Sequence, residues 1–476
     1  MQNQVKDTGA ANTLIETRSI DYIPESERHG KLFSQFTLWL GTNLQITAIV
    51  TGALAVVLGG DVFWSLTGLL IGQLLGGTVM ALHAAQGPQL GLPQMISSRV
   101  QFGVYGAVIP IILVCFMYVG FSASGTVLAG QALGSLFGIS GNAGILGFGV
   151  LIIILTLFGY RLIHLLGRAA SLIGVTAFVV LFGALIARHD LLQVMLSDCH
   201  FTLPHFLLAV SLSASWQLAY GPYVADYSRY LPSAVQPWKT FLAVGSGAVL
   251  GTQASMTVGV FAAALAGKQF AGNEVGFIVG LGGGGLMAGF LYFSIVFGKV
   301  IATTLNSYGS FMSLATIVSG FKGSRTISPT VRLAYIVLTV GLSTALALLG
   351  QHSFLHLFKS FILFLLAFFT PWSAINLVDF YCITKSRYDL KALSDPNGRY
   401  GRWNRVGIVV YLLGIVMQLP FLATGFYTGP MVERLGDTDI SWIVGLVIPA
   451  LLYYWAARRW PVPIPEKLML PDSGSL

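Results

Sequence analysis

TLWLGTNLQITAIVTG, residues 37–52, is apolar enough to enter a membrane and too polar to face one. Gly41, Thr42, Asn43, Gln45, Thr47 and Thr51 fall within eleven residues. A lipid-facing helix has no use for such a density of polar groups. Irregular backbone at membrane depth survives only where it is buried in protein or lines a cavity. A second stretch has the same character: SLSASWQLAYGPYVADYSRYL at 211–231 carries Ser211, Ser213, Ser215, Gln217, Gly221 and Pro222. Each reads as a helix broken at mid-depth around a site.

The rest of the chain supplies the membrane context. It has 476 residues, of which 55% are apolar and only 9% are Asp, Glu, Lys or Arg. A soluble domain carries about 25% charged residues, and single cores stop growing at roughly 250–300 residues. Mean hydropathy is +0.76. A disordered chain, a nucleic-acid-binding protein and an ordinary cytosolic enzyme are excluded. What remains is an all-α polytopic membrane protein, because apolar runs near 20 residues recur along the chain.

Twelve such spans are expected, the first being 36–59 and the last 440–457. The two broken ones are the first and sixth. An offset of five places them in opposite orientation, the signature of two inverted five-helix repeats with a site between the broken helices. The expected organisation is a cytoplasmic tail (1–35), a first repeat (36–190), a second repeat (191–384), a basic cytoplasmic loop (385–405), two further helices (406–457) and a cytoplasmic C-terminal tail (458–476). The N-terminal segment is polar, reads as a mostly disordered tail and is not a signal peptide. With the N-terminus inside, 21 of the 26 basic residues fall on the inner side and four on the outer. That asymmetry follows the positive-inside rule and places both termini in the cytoplasm. The net charge of +8 therefore reports orientation, not nucleic acid. Cys115, Cys199 and Cys382 make no disulfide framework.

Several residues stand out. Gly68, Gly72 and Gly76 recur every four residues, as helix packing requires. The run Gly282–Gly285 is a hinge or a loop, with no phosphate-loop sequence after it. Asn43 and Gln45 are carboxamides with donors and acceptors for a planar, neutral heterocycle. Tyr118 and Ser122, four apart in MYVGFSASGTVLAG (117–130), share a helix face. Trp216, Gln217 and Tyr220 lie near the middle of the sixth span, where a tryptophan is out of place unless it serves a ligand. LYFSIVFGKVIATTLNSYGSFM (291–312) puts Lys299 near the middle of the eighth span. A charge at that depth is a functional candidate, the alternative being a lysine that snorkels to the interface. Thr303 and Asn306 share its face. Asp226 and Asp379 end spans six and ten, where each could meet a basic loop residue in an inner gate. No HExxH or GxSxG element is present, and the sequence leaves a metal site unknown.

From about Phe36 to Tyr454 the chain resembles the nucleobase:cation symporter family one, in its purine–cytosine permease branch. GPQLGLPQMISSRVQFGVYGAVIP (87–110), YVADYSRYLP (223–232), LNSYG (305–309) and TPWSAINLVDFY (370–381) carry the resemblance. It implies a leucine-transporter-type fold and cation-driven uptake of a nucleobase or related heterocycle by alternating access. It also implies that Gln45 and Asn306 bond the edge of the base and that Tyr118 stacks on it, with Trp216, Gln217 and Tyr220 all candidates on helix six. Sodium-coupled members use helix-one carbonyls, here matching Gly41 and Leu44, and helix-eight hydroxyls five and six residues before the asparagine. This chain has Ile301 and Val300 there. A proton is therefore favoured over sodium, with Lys299 and Thr303 near the vacant site.

The expectation is thus a symporter in the cell (inner) membrane, with no cofactor beyond the coupling cation. Its partners are a small heterocyclic substrate, a monovalent cation and the bilayer, with no nucleic acid. An amino-acid or amine transporter on the same fold is the alternative. A membrane enzyme lacks any catalytic constellation.

Overall fold

A computed structural model of the protein describes residues 21–157, 160–322, 328–425 and 427–471. Among them the chain is helical, and its extended pairings are two isolated bridges, Asp389 with Met469 and Ala423 with Thr428. The first apolar span is two helices, α1 (Leu32–Asn43) and α2 (Ile46–Val57), bent by 58°. Leu44 and Gln45 form the break, and Gln45 is fully extended at φ −148°, ψ 155°. The Asn43 amide donates back to the Trp39 carbonyl at 2.7 Å and so closes α1 from its own side chain.

α3 (Val62–Ala84) starts at Asp61, whose carboxylate accepts from the Trp64 amide. α4 (Val108–Phe137), α5 (Gly141–Leu157) and α6 (Tyr160–Arg188) follow. α7 (Leu203–Leu218) stops where the sequence places its breakers, and a turn over 219–223 leads to the short helix Val224–Ser228. Then come α8 (Pro237–Ala266), the short helix Glu274–Gly282, and α9 (Gly285–Lys322). Gly283 and Gly285 make the turn between them at φ 129° and 59°, a region side chains rarely enter, so the glycine run is a connector. α10 (Pro329–Gly350), α11 (Phe354–Val378), α12 (Arg405–Gln418) and α13 (Ser441–Arg459) complete the chain.

Six of these runs are long and apolar enough to cross a membrane, or up to seven with the bent α1–α2 pair. The twelve expected crossings are matched in part. Three apolar helices are shorter, and α10 and α11 merge into one helical run, Thr330–Ile383, of 54 residues.

The glycine stripe of α3 packs on α7. A Cβ at Gly68, Gly72 or Gly76 would strike the backbone of Phe206, Val210 or Ala214, so these positions hold two helices at close range. α8 lies across α1 and α2, with Gly251 against Leu40 and Gly259 against Ile49. The N-terminal segment departs from the expectation of a disordered tail over 21–31. Ile23 is buried and its amide bonds Gly91 O at 2.9 Å, while buried Arg28 donates to Ile23 O and Pro88 O. That segment clips the ends of α3 and Val224–Ser228 together, since Gly30 N also bonds Tyr230 O. Residues 1–20 lie outside the described ones. Cys115, Cys199 and Cys382 are free thiols.

Candidate functional site

The break in the first span is the centre of the site. Gln45 is half-buried there, with its amide nitrogen donating to Thr42 O at 2.9 Å. Its Oε1 accepts from Lys299 Nζ at 2.8 Å and from Thr47 Oγ1 at 3.4 Å. Lys299 also donates to Thr47 Oγ1. The lysine is 5% exposed and does not snorkel; its stem lies against Gly125 of α4, where the absent side chain leaves it room. Among the described residues no carboxylate forms an ion pair with it, so neutral oxygens alone hold the ammonium. Such a charge is costly away from water, which makes the position a functional candidate.

Aromatic rings pack above and below this polar seam. Trp216 Nε1 and Tyr220 Oη both donate to Asn43 Oδ1, at 2.8 and 3.0 Å. The Asn43 carboxamide is thus spent on protein partners and orients two rings of the sixth span. Tyr220 meets Trp39 edge-on with centroids 5.2 Å apart. Phe121 of α4 meets Trp216 at 5.8 Å and Phe361 of α11 at 5.2 Å. Tyr118 lies beside Tyr223 at 5.6 Å, and its phenol end fills the space over Gly309 of α9.

α9 runs antiparallel to α4 across this cluster. Lys299 and Thr303 stand at the level of Gly125, and Gly309 at the level of Tyr118. Asn306, one turn from each, therefore lies at the level of Phe121 and Ser122. Asn306 is half-buried, and its carboxamide makes no hydrogen bond within the described residues, unlike that of Asn43. Ser122 and Thr303 are buried on the same seam. Gly41 and Leu44 bound the end of α1, with Gly41 O accepting from Leu44 N at 3.2 Å. The side chains of Val300 and Ile301 bring no oxygen to α9.

The structure therefore gathers Asn43, Gln45, Tyr118, Ser122, Trp216, Tyr220, Lys299, Thr303 and Asn306 around the two breaks. It does not bring Gln217 there. That side chain is fully buried and donates to Gln73 Oε1 of α3 at 2.6 Å and Thr252 Oγ1 of α8 at 3.1 Å, joining scaffold helices. The helical advance of about 100° per residue separates it from Trp216, while Tyr220, four on, stays with the ring. Sequence reading missed Thr47 as a partner of Lys299, and missed Trp39, Phe121 and Tyr223 altogether. Phe121 was within reach of it, three residues from Tyr118 on one face.

A second polar cluster lies beside the end of the sixth span. Gln94 bridges His83 and Gln86, Gln86 donates to Asn376 Oδ1 at 2.9 Å, and Asn376 donates to Gln101 Oε1 at 3.4 Å. Gln101 donates in turn to Asp379 and to the Tyr388 hydroxyl. Asp379 also accepts from Tyr388 at 2.7 Å and Tyr453 at 3.0 Å. Asp379 thus meets phenols and an amide where a basic partner was expected. Asp226 accepts from the Gln94 backbone amide at 2.8 Å. The segments 87–110 and 370–381 interlock through this cluster. Among the described residues no group of three or more His, Cys, Asp or Glu is placed to hold a metal ion.

A family model described as permease for cytosine/purines, uracil, thiamine, allantoin matches residues 22–445. A putative purine-cytosine permease of Bacillus subtilis is 42% identical over 442 residues, covering 92% of this chain and 95% of its own length. A purine-cytosine permease of Emericella nidulans is 24% identical over 464 residues, with 93% and 88% covered. Among solved structures, the inward-facing conformation of Mhp1 superposes with a TM-score of 0.78 at 18% identity, over 98% of this chain and 100% of that one. A closed conformation of Mhp1, a nucleobase-cation-symport-1 family transporter with bromovinylhydantoin bound, gives 0.71 at 18% identity, over 95% and 98%. These last two likenesses establish the fold.

Proposed function

The chain belongs to the permease family for cytosine/purines, uracil, thiamine and allantoin, a family of multi-pass membrane transporters and not of enzymes, and from that premise we propose that it imports a nucleobase or related heterocycle with a monovalent cation by alternating access. The observation that carries this reading is the seam at the first break. One glutamine oxygen faces a buried lysine, and a half-buried asparagine with no hydrogen-bond partner among the described residues lies at the level of a cluster of aromatic rings. A flat, neutral ligand with polar edges suits those groups. An amino acid would need fixed charges of both signs, and among the described residues no carboxylate pairs with Lys299.

Twelve crossings are the arrangement we favour. α1 with α2 makes one run, and α7 with Val224–Ser228 another. The 54-residue run Thr330–Ile383 would be about 80 Å long if straight, against a hydrocarbon core of about 30 Å. It is interrupted at Gln351–Ser353 and so counts as two. Broken runs one and six, five apart, support inverted repeats. The charge asymmetry supports termini on the cytoplasmic side of the cell membrane.

Gln45, Tyr118, Trp216, Tyr220 and Asn306 are proposed to hold the base, with Asn43 orienting Trp216 and Tyr220. Lys299, beside Thr303 and the α1 end at Gly41 and Leu44, is proposed to serve coupling, with a proton as the cation. The test is uptake into proteoliposomes of a panel of bases and amino acids, under imposed proton or sodium gradients. Base uptake driven by a gradient is expected. Uptake of amino acids in preference to bases would overturn the reading.

A further inference from the structure

Tyr223 has no part in the reading above, and the chain holds it firmly. It follows Pro222 in the turn that breaks the sixth span. Its amide bonds Tyr220 O at 3.1 Å, and the next amide bonds the same oxygen at 2.9 Å. Its ring packs on Tyr118 at 5.6 Å with an interplanar angle of 38°, on Tyr220 at 5.8 Å and on Tyr227 at 6.5 Å. Sandwiching a third ring would require about 7 Å between faces, twice an ordinary contact distance. A flat ligand therefore does not stack between Tyr118 and Tyr223.

The hydroxyls of this pair are the informative feature. A phenol inside a protein usually finds a partner, and other phenols of this chain do: Tyr220 beside the pair donates to Asn43, and Tyr388 and Tyr453 elsewhere donate to Asp379. Within the described residues the Tyr118 and Tyr223 hydroxyls bond nothing. Two phenols with adjacent rings and no hydrogen-bond partner among the described residues, one on α4 and one at the break of the sixth span, offer donors and acceptors to a group from outside the chain. A hydroxyl both donates and accepts, so it suits an exocyclic amino or keto group.

We propose that Tyr223 is a specificity-determining residue, its hydroxyl beside that of Tyr118 reading an exocyclic polar group on the edge of the heterocycle. This rests on the proposed function and names what that site selects. A site built to hydrogen-bond a substrate group rejects the analogue lacking it more strongly than an apolar pocket rejects a missing methylene.

The experiment is equilibrium competition on the full chain in lipid nanodiscs with two probe pairs, adenine against purine and cytosine against 2-hydroxypyrimidine. It is run on the wild type, Tyr223→Phe and Tyr118→Ala, each checked for an unchanged melting temperature. In the wild type the substituted probe of the recognised pair binds tenfold or more tightly than its stripped partner. Tyr223→Phe is expected to bring that ratio within about threefold of one, leaving the stripped probe's affinity unchanged. An unchanged ratio, or equal weakening of both probes, overturns the inference while the site stands on loss of binding in Tyr118→Ala. Normal binding in Tyr118→Ala removes the site itself. A wild type that binds neither pair removes the functional reading and this inference with it.

Discussion

The ammonium of Lys299 and the side-chain oxygen of Gln45 are 2.8 Å apart, although 254 positions separate them in the chain. The lysine comes from α9 and the glutamine from the break between α1 and α2. The carbonyl end of α1 favours a cation at the seam, and the amide end of α2 opposes one. Gln45 Oε1 already receives Lys299 and Thr47. A donor from a bound base must share or displace one of them. The residue proposed to couple and the bound base would thus compete for one oxygen of Gln45, which ties the state of Lys299 to occupancy of the site.

Coupling follows from that contact. An ammonium held by neutral oxygens alone can substitute for a monovalent cation, and loss of its proton would leave the seam neutral. Uptake is expected to follow an imposed proton gradient and ignore sodium. Lys299→Ala is expected to abolish accumulation while exchange of base across the membrane persists. Sodium-stimulated uptake in Lys299→Gln would refute the assignment.

The binding groups make a separate prediction. Tyr118→Ala removes a ring from the cluster, and Asn306→Ala removes a carboxamide that has no hydrogen-bond partner among the described residues. Each is expected to weaken base binding by about 5- to 150-fold, the effect of about 1–3 kcal/mol per unpaired group. Because Asn306 makes no hydrogen bond among the described residues, its loss is expected to leave thermal stability unchanged. Near-normal affinity in either variant would remove that residue from the site.

Much of this site was legible because polar residues inside apolar spans are conspicuous. Asn43, Gln45, Lys299 and Asn306 stand out against Leu, Val and Ile, and all four sit on the seam or its edge. Aromatic residues do not stand out in that background, so Trp39, Phe121 and Tyr223 passed as core. Trp216 and Tyr220 share a face by their spacing of four, and Gln217 could have been set apart on that ground. Asp379 was placed correctly at a helix end, but its partners come from Tyr388, folded back over it by a turn nine residues later, and from Tyr453 on α13. Local pattern carries no information about such long-range closure.

The glycine stripe separates packing from function. At Gly72 a Cβ would meet Ser213 Oγ and Val210 O, so Gly72→Ala forces α3 and α7 apart. The expected loss is about 1–3 kcal/mol, visible as a lower melting temperature in detergent. Gly147 of α5 has nothing within 4 Å of such an atom, and Gly147→Ala is expected to be neutral or to gain up to about 1 kcal/mol in helix propensity. Equal effects at the two sites would contradict the packing described.

Topology is open to a direct check. A reporter placed after Arg402, in the loop before α12, is expected to be reachable only from the cytoplasm, as are reporters at both termini. The six basic residues from Lys385 to Arg405 are the reason. Accessibility from outside alone would overturn the count of twelve crossings.

Asn43 poses the sharpest question, because a carboxamide at a helix break invites assignment as a ligand group. Its oxygen accepts from both Trp216 and Tyr220, and its nitrogen donates to Trp39 O. If Asn43 acts by aiming Trp216, removing either end of their bond disables the same thing. Asn43→Ala and Trp216→Phe are each expected to weaken base binding, the latter keeping an aromatic ring but no N–H donor. The double variant is expected to be no weaker than the worse single one, a coupling energy of about 0.5–3 kcal/mol. If Asn43 instead touched the base on its own account, the two losses would add. Competition binding on the four proteins of the cycle decides it, and additive losses would return Asn43 to the ligand-binding set.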